Sequence, residues 1–167
     1  MEYAVASLAT ESEFSQCASL MMRSNPWNKL YFTQDQCEDD LARPEMTVHG
    51  AVSDDGAVLG FLAALANGIG FEPMIEYLCV DPGHRNKGIG SALITHFEDV
   101  QFPAADNLYL FVSDINPDAI RLYEAGLRPV GCVPQLQPRR PDRVPTPKEQ
   151  ASSPDGRGAQ RWSNRDV

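Results

Sequence analysis

The stretch from Arg85 to Ser91 reads Arg-Asn-Lys-Gly-Ile-Gly-Ser, which places two cations and two glycines in a short turn of chain. Before it, Met74 to Val80 has the apolar weight of a strand; after it, Ala92-Leu93-Ile94 continues a helical pattern. The first N–H groups of a helix have no intrahelical acceptor, and the macrodipole gives that end partial positive charge. Gly88 and Gly90 let a ligand come close to the backbone, while Arg85 and Lys87 add formal charge. Together they predict a pyrophosphate-type anion site. A plainer reading is that the glycines serve only a tight turn. Two other phosphate loops do not fit. A dinucleotide fingerprint needs a third glycine where the chain has Leu93, and the P-loop order of Gly, four residues, then Gly-Lys-Ser/Thr is absent.

The elements that position this loop follow from capping and periodicity. Tyr3 to Leu8 alternates as a first strand. Thr10-Glu11-Ser12-Glu13 is a capping-box pattern opening a helix to about Met22, with Phe14, Cys17, Ala18, Met21 and Met22 on one face. Ser24-Asn25-Pro26 ends it. Thr33-Gln34-Asp35-Gln36 opens a second, short helix that stops before Pro44. Thr47 to Ser53 and Ala57 to Ala66 are strands joined by the hairpin turn Asp54-Asp55-Gly56. Met74 to Val80 is a fourth strand, Gly88 to about Val100 a helix, and Asn107 to Ser113 a fifth strand with the apolar run of a central position. Asn116 to Ala125 reads as helix and Leu127 to Val133 as one more strand. From Pro134 onward, six prolines fall in 34 residues and no period of 2 or 3.6 survives. We expect one α/β domain over 1–133 and a disordered Pro/Arg-rich tail over 134–167.

Composition narrows the chemistry further. With 167 residues, 43% apolar content and a formal net charge of −9, the chain suits a single buried core and an acidic surface. That charge argues against nucleic acid, whose phosphates need a basic surface, and favours cationic partners such as amines. Cys17, Cys37, Cys79 and Cys132 are widely spaced and never cluster with His at ligand spacing, so we expect buried free thiols and no metal. No apolar run reaches the roughly 20 residues that cross a bilayer, and Met1-Glu2-Tyr3 has no signal-peptide character, so no membrane partner and a cytoplasmic location are expected.

Two motifs in order carry a family resemblance. Arg85-Asn86-Lys87-Gly88-Ile89-Gly90 matches the loop of the GNAT superfamily of N-acetyltransferases, which reads Arg or Gln, two residues, Gly, one residue, then Gly or Ala. The lead-in Leu78-Cys79-Val80-Asp81-Pro82 matches as well, and Asn116 to Glu124 is similar to the family's downstream Asn…Leu-Tyr-Glu block. Element order agrees from about residue 3 to residue 133. The Pro26-Trp27 pair resembles the subgroup of ribosomal-protein alanine N-acetyltransferases, although Trp27 is equally readable as a packing residue at a helix end.

The resemblance implies a mixed, mostly antiparallel sheet flanked by helices, with an acyl-CoA cleft between the fourth and fifth strands. It implies acetyl transfer from acetyl-CoA to a primary amine, either a small molecule or a protein N-terminus, by direct attack in a ternary complex. Leu78, Cys79 and Val80 would orient the thioester through their backbone. Arg85, Asn86, Lys87, Gly88, Ile89, Gly90 and Ser91 would hold the pyrophosphate. Asn116 would contact acetyl-CoA, or serve only as a helix N-cap. Tyr123 matches the residue that protonates the leaving thiolate, or is a helix aromatic facing the core. The subgroup's basic Glu is replaced by Phe111, so Glu76 becomes the candidate base, with Asp114 and Glu72 behind it; Glu76 is also readable as a solvent-facing charge. His84 is placed on the exposed turn.

Tyr123-Glu124-Ala125-Gly126-Leu127 is one residue shorter than the family pattern, and one strand stands where the family has two. A missing strand exposes a sheet edge, which makes a homodimer a candidate state. It also favours an alternative: a catalytically weak acyl-CoA-binding sensor or interaction module. A small α/β module for another phosphorylated ligand is the third reading.

Overall fold

The computed structural model describes residues 2–25, 27–29, 32–112, 116 and 120. Both predicted capping boxes form. Thr10 Oγ1 accepts from the Glu13 N–H at 3.3 Å, and Glu13 Oε2 accepts from the Thr10 N–H at 2.9 Å, which starts α1 (Glu11–Met22). Thr33 and Gln36 repeat the exchange at 3.3 and 2.9 Å for α2 (Gln34–Leu41).

Five strands follow one another in space as in sequence: β1 (Tyr3–Ser7), β2 (Met46–Ser53), β3 (Val58–Leu65), β4 (Met74–Val80) and β5 (Tyr109–Leu110). The first three pairings are antiparallel and β4–β5 is parallel, so the sheet is mixed and mostly antiparallel. Gly56, at φ +82°, makes the β2–β3 turn that other residues resist. β3 is buried along nearly its whole length because both of its faces are covered. On one face α1 and α2 pack Cys17, Leu20, Met21 and Leu41 against Val48, Phe61 and Ala63. On the other, α3 (Ile89–His96) packs Ile89, Leu93 and Phe97 against Leu59, Leu62 and Ile75.

Two elements differ from the sequence expectation. The helix expected to run to about Val100 is α-helical only to His96; Phe97–Gln101 forms a wider π turn, closed by the Phe102 N–H on Phe97 O at 2.8 Å. The wider turn brings residues five apart towards one face, and Phe102 rests on the fully buried Phe97 with ring centroids 5.9 Å apart. The fifth strand, expected in a central position, pairs only at Met74–Tyr109 and Ile75–Leu110, and among the described residues it is the last strand of the sheet. Phe111 and Val112 beyond it are exposed. The expected helix at 116–125 is described only at Asn116 and Ile120, where the Ile120 N–H donates to Asn116 O at 3.1 Å. The strand at 127–133, the tail boundary and Asp114 lie outside the described residues. No described helix is long and apolar enough to cross a membrane.

Candidate functional site

The loop after β4 is built by two residues in left-handed conformation. Asn86 has φ +58° and Gly88 φ +82°; Asn tolerates that region through its short polar side chain, and Gly carries no Cβ to clash. Gly88 is the N-cap of α3 and brings no side-chain acceptor to its first-turn N–H groups. Among the described residues, a Cβ added at Gly88 would meet no heavy atom within 4 Å beyond its own turn. Ile89, only 1% exposed, pins the first turn to the sheet, while Gly90 is buried and Ser91 exposed. The first-turn N–H groups of α3 thus receive no side-chain cap from Gly88, an arrangement that suits an anion.

The two cations help to hold the loop's shape. Arg85 Nε donates to Val80 O at 3.2 Å, and Lys87 Nζ donates to Gly83 O at 3.0 Å. Asp81 ties the turn down from the front. Its carboxylate accepts from Arg23 at 3.0 Å, from the Gly83 N–H at 3.1 Å, and faces His84 Nδ1 at 2.8 Å. His84 is therefore half-buried and engaged, where sequence reasoning placed it on an exposed turn. Burial acts to raise the Asp81 carboxyl, but His84, Arg23 and the Gly83 N–H outweigh it and hold the group below its ordinary value.

β4 leads from this loop to a β-bulge. Ala63 pairs with Tyr77 and Ala64 with Ile75, which leaves Glu76 as the extra residue. The bulge reverses the strand's alternation: Ile75, Leu78 and Val80 join the α3 side, Tyr77 and Cys79 the α1–α2 side. It also marks the point where β5 parts from β4, since their pairing stops at Ile75. The Asp81 N–H donates to Leu59 O at 2.8 Å, so Asp81 and Cys79 turn their amides towards β3. Leu78 and Val80, alternate to them, turn theirs towards the opening. Of Leu78, Cys79 and Val80, Cys79 thus faces β3 with its N–H, and the other two face away from it.

Glu76 lies on the α2 side with its side chain 26% exposed, and its Oε2 is 3.9 Å from Arg43 Nη2. Arg43 is also bound by Asp40 at 3.0 Å and faces Glu45 at 3.7 Å. The Tyr77 hydroxyl donates to Asp40, and Trp27 packs edge-on to the Tyr77 ring at 6.3 Å. Trp27 therefore packs against the core at the foot of β4. Glu72 accepts from the Asn107 N–H at 3.3 Å and serves the β5 approach. Asn116 is half-buried and accepts the first helical bond of the segment that follows. Tyr123 lies outside the described residues.

Cys17, Cys37 and Cys79 are buried free thiols, as expected; Cys132 is outside the described residues. Burial pushes the Cys79 thiol up to about 11, so it is protonated and unreactive at neutral pH. Among the described residues no group of three metal-ligating side chains converges. A hollow of 460 Å³ lies between α1 and the start of β3, lined by residues that include Ser15, Ser19, Arg23, Ala57 and Val58, and no β4 residue lines it. Sequence reasoning missed Arg43, which sits just past a helix end with no motif around it, and the bulge, which only strand pairing reveals.

The site thus sets a glycine-capped helix start beside a strand that bulges and parts from its neighbour, within a mixed α/β sheet. The model of the acetyltransferase (GNAT) family matches residues 8–127, and the chain belongs to that family. Streptothricin acetyltransferase of Streptomyces lavendulae is 39% identical over 74 residues, covering 44% of this chain and 39% of that protein. The chain thus spans well under two thirds of the length of this curated relative. Among solved structures, AAC(6')-Iy in complex with the bisubstrate analogue CoA-S-monomethyl-acetylneamine has a TM-score of 0.63 at 13% identity, covering 84% of this chain and all of that one. Ribosomal-protein-alanine N-acetyltransferase from Brucella melitensis has a TM-score of 0.63 at 21% identity, covering 80% of this chain and 96% of that one. Two neighbours with different acceptors fit the fold equally well, so the likeness carries the fold and leaves the acceptor open.

Proposed function

We propose that the protein transfers an acetyl group from acetyl-CoA to a primary amine. The observation that carries this reading is that β4 runs from the bulge at Glu76, past which β5 no longer pairs with it, to the glycine-capped start of α3. The α3 N-terminus, with Asn86 and Gly88 shaping the turn, holds the pyrophosphate; the N–H groups of Leu78 and Val80 face the thioester carbonyl and polarise it. Bound acetyl-CoA supplies a thioester electrophile. Holding it in line with an amine contributes up to roughly 7–11 kcal/mol towards the barrier.

An acceptor amine arrives as an ammonium, with a reference pKa of about 10.4 for a lysine side chain and about 8 for an α-amine. Glu76 takes its proton on the α2 side of the bulge, which leaves a neutral nucleophile. Tyr123 returns a proton to the departing thiolate. Cys79, buried and protonated, is not an acyl carrier, which supports direct attack over a covalent enzyme intermediate. Asp40, Glu45 and Glu76 surround one guanidinium, and this excess of negative charge favours a cationic acceptor. We place the reaction in the cytoplasm.

Glu76→Gln tests the base. We expect kcat to fall about 10²–10⁴-fold, with acetyl-CoA affinity unchanged; undiminished kcat would remove Glu76 from the mechanism. Tyr123→Phe is expected to lower kcat in the same selective way. The second reading, an acyl-CoA-binding module with weak turnover, is favoured by Phe111, which is 49% exposed where the resembled subgroup carries its Glu.

A further inference from the structure

The cluster at the end of α2 has a consequence for the base. Arg43 follows the last residues of α2, where the helix dipole is negative, and its Nε donates to Asp40 O at 3.1 Å while pairing with Asp40 Oδ1 at 3.0 Å. Asp40 is itself held by the hydroxyl of Tyr77, the residue next to Glu76 on β4. The guanidinium is thus fixed from two sides, and it presents Nη2 to Glu76 Oε2 at 3.9 Å. That nitrogen is buried and makes no hydrogen bond. At this distance Arg43 acts on Glu76 through charge without sharing a proton with it.

We infer that Arg43 is a positioning residue, locked by the Asp40–Tyr77 pair, that holds the Glu76 carboxylate ionised on the β4 bulge, ready to receive the proton of an arriving ammonium. This rests on the reading of Glu76 as the base. The charged and titratable groups around Glu76 include Arg43, which also meets Asp40 and Glu45, and Tyr77 on the same strand. The residues β3 turns to the bulge are Ala63 and Ala64, and β5 contributes Tyr109 and Leu110 at the strand's start. Arg43 is a cation set against Glu76. Its removal takes away a charge that favours the carboxylate, while Asp40 and Glu45 remain.

The test is the pH profile of kcat/KM for wild type, Arg43→Gln, Arg43→Lys and Glu76→Gln, each first checked for folding by its melting curve and for acetyl-CoA affinity by titration. A cation within 4–6 Å lowers a carboxyl pKa by about one unit or more. We expect Arg43→Gln to move the acidic limb upward by about one pH unit, with acetyl-CoA affinity within about twofold of wild type, and Arg43→Lys to bring the limb back. Arg43→Met keeps the apolar stem's packing and carries the same expectation if Arg43→Gln does not fold. A limb that vanishes in Glu76→Gln but stays in place without Arg43 overturns this inference alone. A limb that persists in Glu76→Gln overturns the base assignment and this inference with it.

Discussion

Asp81 joins the acyl-donor loop to α1 through Arg23 and to its own turn through His84 and the Gly83 N–H. A carboxyl held below its unfolded value stabilises the fold above that value, and the contribution disappears as pH falls through the folded one. The value to fall from is the ordinary 3.8. Asp81→Asn should therefore lower the melting temperature at neutral pH by the equivalent of about 1 kcal/mol, a figure reduced by solvent screening of the exposed Arg23 partner. The two melting curves should converge as pH drops below 3.8; a difference that persists there would show that the loss is not ionic. At this scale the strand-to-helix turn was legible. Gly88 takes the left-handed conformation that a tight turn asks of glycine. Arg43 was illegible: a lone Arg before Pro44 has no periodic or motif signal, and its role exists only because α2 ends beside the bulge.

In the proposed function, acyl-donor binding depends on the helix α3 and its cap. Gly56 and Gly88 share φ +82° and open space around a would-be Cβ, but one sits in the β2–β3 hairpin and the other at the anion cradle. Alanine at either should cost a similar amount, about 1–2 kcal/mol of left-handed strain. Only Gly88→Ala should weaken acetyl-CoA, measured by titration beside the melting curves. Equal acetyl-CoA affinity in the two variants would contradict the loop assignment. Capping boxes at Thr10 and Thr33 made the helix starts readable, because each satisfies its donors within four residues of chain. The bulge at Glu76 was not readable. Simple alternation puts Ile75 and Tyr77 on one face, and only the shift from Ala63 to Ala64 on the partner strand separates them. The buried contact of His49 on β2 with His96 on α3, at 2.8 Å, was hidden for the same reason: it joins elements 47 residues apart.

Over the whole molecule, a formal charge of −9 creates a field that attracts cations. Such steering is screened over about 10 Å at 0.1 M salt. We expect kcat/KM for a multiply charged amine to fall as ionic strength rises, and that for a singly charged amine to fall much less; equal slopes would place acceptor choice in contacts and not in the field. The central claim is tested most directly by CoA-thiol release from acetyl-CoA by the full chain, across a panel of amines, aminoglycosides and peptides with free N-termini. The account predicts release that depends on the amine and saturates with acetyl-CoA. Saturable acetyl-CoA binding with no amine-dependent release from any member of the panel would contradict it and leave a binding module in its place.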